Sequence, residues 1–438
     1  MSPDLRRELK SFYNHLHDRP LAPDDPYYVD YVEQQPADSD PIAAIAQKIA
    51  FSDAASLELL SGQRGSGKST QLLRLKKLLE EDGCTVFLCD MKDYLNLSMP
   101  VEISDFLITL MGRLSQEVCQ QFGTNPAQRS YWERIQQFLL QDVQIEGIKL
   151  EADFDPVSFG IEASLKDDPD FKQRIQQALK GYVATLVRQS REFADDVVKL
   201  VRKRKRDPNH KVVVLVDSVE QIRGGEDVHK SVETLFASHG EHLRFPTLHL
   251  RFPTLHLVYT VPPYLVPLAP GLGRNLGATL RTLPSVHVRR RDGSDDERGI
   301  GALRDMVGRR YAGWSQVFSE EQLATMAKST GGDLRDFFRL IREVLVAAAA
   351  KPDGLPVADS LIDAAKNLIK REMLPLAQDD MAWLRGIADS KNTQLPSIEQ
   401  LPRLARFFDT HLVLNYRNGD DWYDVHPLLA DVLPPAAA

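Results

Sequence analysis

The eight residues Gly62-Gln63-Arg64-Gly65-Ser66-Gly67-Lys68-Ser69 constrain this chain more than any other feature. They follow a short apolar run, Ser56–Leu60, and precede a stretch where Leu72, Leu73, Leu75, Leu78 and Leu79 recur at helical spacing. Gly83 is placed to stop that helix, and the β-rich run Cys84–Cys89 follows, ending at Asp90. A glycine-rich turn between a strand and a helix suits one task. Its glycines let backbone N–H groups curl around an anion, and the helix N-terminus points its positive dipole end at that anion. The spacing G-x-x-x-x-G-K-[ST] adds a lysine for the β- and γ-phosphates of a nucleotide and a hydroxyl for Mg²⁺. Lys68 and Ser69 hold those positions, and Thr70 continues the helix. Gly62 to Thr70 is therefore the expected nucleotide-binding segment, with ATP or ADP and Mg²⁺ as cofactors. The order strand, turn, helix, strand opens an α/β domain whose parallel sheet is flanked by helices.

Further strands supply further candidates. Lys211–Asp217 (KVVVLVD) is a continuous apolar run ending in an acid, the pattern of a parallel strand buried on both faces. Asp217 is the natural Mg²⁺-ordering carboxylate, by way of the metal's shell. Ser218 stands where many such enzymes have a catalytic Glu. Glu220 is the nearest acid that could orient an attacking water; a surface charge on the following turn is the competing reading. Residues 255–260 form a fourth strand ending at Thr260, either a γ-phosphate sensor or a plain strand-end threonine. Ser285–Arg289 is the fifth candidate strand.

Length and charge set the remaining bounds. At about 150 residues per domain, 438 residues suggest three. The net charge of −8 excludes a generally basic, nucleic-acid-coating surface. Cys84, Cys89 and Cys119 are few and lack Cys-x-x-Cys spacing, which rules out a disulfide scaffold, argues against a structural zinc site and fits a reducing compartment. The N-terminus lacks the apolar core of a signal peptide. The charge-free stretch Leu257–Gly273 contains four prolines, which argues against a membrane helix. No membrane association is expected, and the cytoplasm is the expected compartment.

The pattern divides the chain into an N-terminal helical segment (1–40), a core (41–293), a helical region (294–372) and a last unit (373–438). An insertion at about 121–206 interrupts the core. Its alternating residues 146–166 predict a β-hairpin, and 169–206 predict one long polar helix. Leu243–His249 (LRFPTLH) recurs unchanged at Leu250–His256, a duplication to which no function is attached. In 294–372, helices are expected at about 295–312, 319–329, 333–350 and 357–370. The last unit reads as two helices and a hairpin about Asn418-Gly419, which looks like a winged helix.

With these features in order, the chain resembles the AAA+ and STAND families of P-loop ATPases over roughly residues 40–120 and 210–435. Ser329-Thr330-Gly331-Gly332-Asp333-Leu334-Arg335-Asp336 is similar to the lid motif of AAA+ initiators. That resemblance makes Arg335 the arginine that touches the γ-phosphate. Val425-His426-Pro427-Leu428-Leu429 looks like the Met-His-Asp motif of NB-ARC switches, which implies that His426 contacts bound ADP; Pro427 departs from the family's Asp. The resemblance also implies an arginine supplied by a neighbouring subunit, with Arg281 preferred over Arg274.

Two basic clusters, Arg202–Arg206 and Arg289–Arg291, are candidates for nucleic acid or an acidic partner. Residues 376–438, however, hold five Lys/Arg against nine Asp/Glu, and the second helix offers only Arg403 and Arg406. DNA binding by this unit is therefore not favoured. The leading expectation is an ATP-dependent switch or assembly ATPase that forms homo-oligomers and controls a partner supplied in trans, in a setting such as bacterial antiphage defence. A DNA-loading initiator and a non-hydrolysing nucleotide-gated scaffold are the alternatives.

Overall fold

The structure is a computed structural model that describes residues 3–32, 40–93, 95–96, 98–123, 168–222, 226–233, 235, 255–268, 278–350, 354–418 and 420–435. The hairpin expected at 146–166, Arg274, and all of the duplicated segment except Leu255 and His256 lie outside the described residues. The chain clusters into two compact units. One gathers Met1–Pro41, Gly62–Arg74 and Thr282–Ala438, and the other gathers Ile42–Ser61 and Leu75–Arg281.

The second unit carries the sheet. Strands β1 (Leu57–Gly62), β2 (Thr85–Asp90), β3 (Val212–Asp217), β4 (Leu255–Val261) and β5 (Thr279–Leu283) lie in the order β2-β3-β4-β1-β5. The ladders β2–β3, β3–β4 and β4–β1 are parallel. Every residue of β3 and β4 is buried, as the uninterrupted apolar runs require of strands covered on both faces. The register sets Asp90 opposite Asp217 and Leu60 opposite Thr260, so the C-terminal ends of these strands share one edge. In open α/β sheets ligands bind beyond that edge.

Helix α4 (Ile103–Phe122) packs on β2 and on α6 (Val183–Lys205). The single helix expected over 169–206 is two, α5 (Pro169–Leu179) and α6, separated at Lys180-Gly181-Tyr182. A glycine inside a helix costs about 1 kcal/mol against alanine, and this one falls where the chain turns. Asp105 of α4 receives Gln176 Nε2 of α5 at 2.6 Å and lies 3.8 Å from Lys172 Nζ. Burial pushes the Asp105 carboxyl up to about 6 and draws the Lys172 amine down. Elsewhere in this unit, α2 (Pro41–Phe51) sets Lys48 2.6 Å from the buried Glu58 of β1, and the helix α7 spans Glu226–Glu233.

The first unit begins with α1 (Pro3–His15) and takes in the start of α3 (Lys68–Glu81). Its helical lid comprises α8 (Glu297–Arg310), α9 (Trp314–Val317), α10 (Glu320–Ser329), α11 (Leu334–Ala350) and α12 (Asp359–Glu372). Caps fix the starts. Asp296 accepts Arg298 N, and Ser319 and Gln322 form a capping box. Helix α1 packs on α11, Phe12 stacks on Tyr311 with centroids 4.5 Å apart, and Arg342 donates to Tyr13 Oη at 2.6 Å. The winged helix follows as α13 (Gln378–Ser390), α14 (Leu401–Asp409) and the antiparallel pair β6 (Val413–Asn418) and β7 (Asp420–Val425). Its core includes Leu414 and the stacked pair Tyr416–Trp422.

The fifth strand is Thr279–Leu283, not Ser285–Arg289. Pro284, which has no N–H to give a ladder, separates the two. Residues 285–287 belong to no strand and satisfy their polar groups outside the sheet, within the first unit. Ser285 N donates to Asn415 O at 3.0 Å and Val286 N to Gly332 O at 3.1 Å, while His287 Nε2 accepts Arg417 N at 3.0 Å. Period-2 alternation by itself does not establish sheet membership. Among the described residues no helix is long and apolar enough to cross a membrane; the stretch from Leu257 holds the end of β4 and the 3₁₀ segment Pro263–Leu268.

Candidate functional site

The glycine-rich loop leaves β1 at Gly62 and ends where α3 begins at Lys68. Gly65 and Gly67 have φ of +88° and +85°, values that a residue with a Cβ rarely adopts. Lys68 is buried, and its Nζ donates to Gly62 O and Gln63 O, both at 2.7 Å. Ser66 Oγ donates to Gln63 O at 2.8 Å. Ser69 and Arg64 are partly exposed, and Thr70 Oγ1 accepts Leu21 N at 3.1 Å. Left-handed glycines, a lysine folded over the loop and a hydroxyl at the helix start fit a nucleotide's phosphates and Mg²⁺.

Other parts of the first unit enclose this loop. Tyr31 Oη donates to Ser66 O. A Cβ at Gly67 would fall 3.2 Å from Tyr31 Oη, and one at Gly65 would fall 2.9 Å from Asp333 Oδ1 and 3.0 Å from Arg335 Cβ. The Gln63 side chain is committed to the winged helix: Nε2 donates to Val413 O, and Oε1 accepts Asn415 N at 3.3 Å. What Gln63 offers to phosphate chemistry is therefore its backbone.

Lid and winged helix meet next to the loop. Asp333 N-caps α11, its Oδ1 accepting Asp336 N at 3.0 Å. Arg335 stands beside Gly65 with its Nε 3.2 Å from Asp18 Oδ2. His426 is wholly buried; Nδ1 accepts Leu428 N at 3.2 Å, so the proton sits on Nε2, 3.6 Å from Asp336 Oδ2. His411 Nδ1 lies 3.4 Å from Asp336 Oδ2 and 3.5 Å from Asp333 Oδ2. Burial alone would raise the Asp336 carboxyl, but His411 and His426 together hold it below the usual range. Burial raises Asp333. His411 is raised despite its burial by the two carboxylates. Sequence reasoning singled out Arg335 and His426 but gave no role to Asp333, Asp336 or His411. The Asp-x-x-Asp capping spacing was a signal for the acids; His411 had none.

The remaining candidates lie in the second unit. Asp217 is buried at the end of β3, and its Oδ1 accepts the N–H of Ser218 at 2.7 Å, where the backbone turns left-handed with φ of 69°. Glu220 falls in the one-turn 3₁₀ helix Val219–Gln221. Thr260 is buried in β4, and its hydroxyl has no hydrogen-bond partner among the described residues. Arg281 lies inside β5 rather than in the loop before it, close enough to Glu58 to oppose the rise that burial imposes on that carboxyl.

The basic clusters differ in what they hold. Lys203 to Arg206 are exposed at the end of α6, whereas Arg289 is 3.2 Å from Asp424. On α14, Arg403 Nε is 2.5 Å from Asp380 Oδ1, and Arg406 donates to the other oxygen of the same buried carboxylate.

No protein-family model matches the chain, and no curated protein matches it. Solved structures similar to it include Drosophila ORC bound to DNA, at 12% identity over 97% of this chain and 90% of that chain, with a TM-score of 0.40. Another is Cdc6p from Pyrobaculum aerophilum, at 12% identity over 94% and 96%, with a TM-score of 0.40. A third is the Aeropyrum pernix ORC2 protein in ADPNP and ADP complexes, at 13% identity over 92% and 93%, with a TM-score of 0.38. The fold is α/β, a P-loop NTPase sheet flanked by helices and followed by a helical lid and a C-terminal winged helix.

Proposed function

We propose that this chain is a Mg²⁺-dependent, ATP-binding P-loop ATPase of AAA+/STAND type that works as a nucleotide-dependent switch on a partner supplied in trans. The observation that carries the reading is Gln63, a residue of the phosphate loop whose side chain is hydrogen-bonded at both ends to β6. A ligand moves an equilibrium only through contacts that differ between states. Lys68 must exchange its two loop carbonyls for phosphate oxygens, and those carbonyls belong to Gly62 and Gln63. Phosphate binding is thereby tied to a residue that holds the winged helix, with Asp333 and Arg335 of the lid against Gly65.

Lys68 and the loop N–H groups of Gly62 to Thr70 hold the phosphates in this reading. Ser69 and Asp217 hold Mg²⁺, whose charge offsets that of the phosphates. Thr260 and Arg335 report the γ-phosphate, and Glu220 orients water. Arg281 acts on a neighbouring subunit's nucleotide, and His426 supports the ADP state from within the lid–wing contact. With Ser218 directly after Asp217, slow turnover is expected. The only two cations of α14 are engaged by Asp380, which favours a protein partner over duplex DNA.

Mass photometry with ATP, ADP and no nucleotide, run beside a phosphate-release assay, tests this. ATP produces a homo-oligomer that ADP does not, and Lys68→Ala weakens ATP binding at least about 100-fold, equivalent to about 2.7 kcal/mol. Unchanged ATP affinity in Lys68→Ala overturns the reading. Tight, salt-sensitive binding to plain duplex DNA would instead select the initiator alternative.

A further inference from the structure

We infer that Asp333, Asp336 and His411 form a binding site for a divalent transition-metal ion of the Zn²⁺ class, fastening the start of the lid helix to the turn between α14 and β6. This inference does not depend on nucleotide chemistry.

The first observation is spacing. One donor atom from each residue lies within 4.8 Å of the others, and all three residues are buried. His411 Nδ1 is 3.4 Å from Asp336 Oδ2 and 3.5 Å from Asp333 Oδ2, separations too long for good hydrogen bonds. Ligands about 2.0–2.2 Å from a tetrahedral Zn²⁺ are themselves about 3.3–3.6 Å apart, so these separations match the edges of a coordination tetrahedron.

The second observation is an orphan. Asp333 is 0% exposed, its Oδ1 caps α11, and its Oδ2 faces His411 with no hydrogen-bond partner among the described residues. A buried carboxylate oxygen with nothing to bond is costly, and a cation removes that cost.

The third is composition. Two carboxyl groups and one imidazole share a buried place. The adjacent cations are turned elsewhere: Arg335 faces Asp18 at 3.2 Å and Arg339 pairs with Glu372. His426 completes the arrangement without ligating. Its Nδ1 accepts a backbone N–H, which leaves Nε2 3.6 Å from Asp336 Oδ2, in the place of the outer partner typical of metal ligands. Three protein ligands leave a fourth position for water. Mixed carboxylate and imidazole donors suit Zn²⁺ or Mn²⁺ and exclude the soft, thiol-selecting metals.

The test uses the full-length chain without a polyhistidine tag, titrated with Zn²⁺ against a chromophoric chelator in excess Mg²⁺, and with Co²⁺ read by visible absorption. One equivalent of Zn²⁺ should bind, and Co²⁺ should give the d–d bands of a four-coordinate site without a thiolate charge-transfer band. Asp333→Asn keeps an N-cap residue while removing the charge, and His411→Gln removes the imidazole. Each should weaken binding by at least about 10–100-fold, the loss that outer-shell changes alone produce; His426→Gln should fall within that range. Circular dichroism confirms that each variant is folded, and Zn²⁺ should slow hydrogen exchange at residues 334–338 and 410–412 in wild type only. Absence of stoichiometric binding by wild type overturns the inference. So does a thiolate band, which would place the metal on cysteine, or affinity unchanged in both folded Asp333→Asn and His411→Gln.

Discussion

The two compact units differ in how much of their packing rests on polar contacts between distant segments. The sheet unit is built from runs that announce themselves: VVVLVD makes β3 and LHLVYTV makes β4, and every residue of both is buried. The other unit gathers three segments far apart in the chain and joins them both through apolar packing, as of Phe12 on Tyr311, and through polar contacts at the phosphate loop. Gln63 reaches β6, Tyr31 reaches Ser66, and the strap at 285–287 reaches Gly332, Asn415 and Arg417. Apolar burial is non-directional and tolerates small shifts, whereas a buried polar contact holds one geometry or leaves an unsatisfied group. In the proposed switch, the first unit is the one whose contacts would change between states.

Matched glycines give the largest expected effect on this contrast. Gly332 and Gly83 both have positive φ, +78° and +82°. A Cβ at Gly332 would sit 1.9 Å from Val286 O, whereas one at Gly83 meets nothing within 4 Å. Gly332→Ala should destabilise the first unit by more than about 3 kcal/mol, since strap and lid must separate. Gly83→Ala should cost only the left-handed penalty of about 1–2 kcal/mol. Urea denaturation followed by unit-resolved hydrogen exchange distinguishes them, and equal costs would break the comparison.

Acid should strike both units alike. His256 in β4 and His287 in the strap are each drawn down to about 4 by burial. Because the folded value lies below the unfolded one near 6.5, their stabilisation is complete above pH 6.5. It is lost as pH falls through that window toward 4, on the order of 3 kcal/mol for each group. His256→Gln should flatten the acid slope of the sheet unit only, and His287→Gln that of the other, as read by denaturant midpoints between pH 7 and 4.

The smallest effect sharpens the contrast most. Gln63→Ala removes the bonds to Val413 O and Asn415 N and should cost about 1–3 kcal/mol. The loop glycines and Lys68 remain, so ATP affinity should change little while the ATP-dependent change in hydrogen exchange at β6 disappears. Coupling that persists in the variant would remove Gln63 from the switch.

Local physics made much of this molecule legible. Strand, loop and helix around Gly62–Ser69 follow from apolar spacing and glycine placement, and Gly83 stops α3 with φ of +82°. The lid and winged-helix elements follow from periodicity, caps and the turn at Asn418. Their ends moved by a few residues, and Gly181 broke one helix that polar periodicity had joined. The misplaced fifth strand shows the limit, since alternation at Ser285–Arg289 does not reveal that the partners of its polar groups lie in the lid and the wing rather than in the sheet.

The sequence by itself determined the phosphate loop, its strand and helix, and the order of the following elements, because each depends on residues within a turn or two. Only the tertiary structure decided that Asp333, Asp336 and His411 share one buried place, and that Gln63 serves the wing as well as the loop. Those contacts join positions as far as 352 residues apart, and polar partners at that range leave no periodicity in the chain.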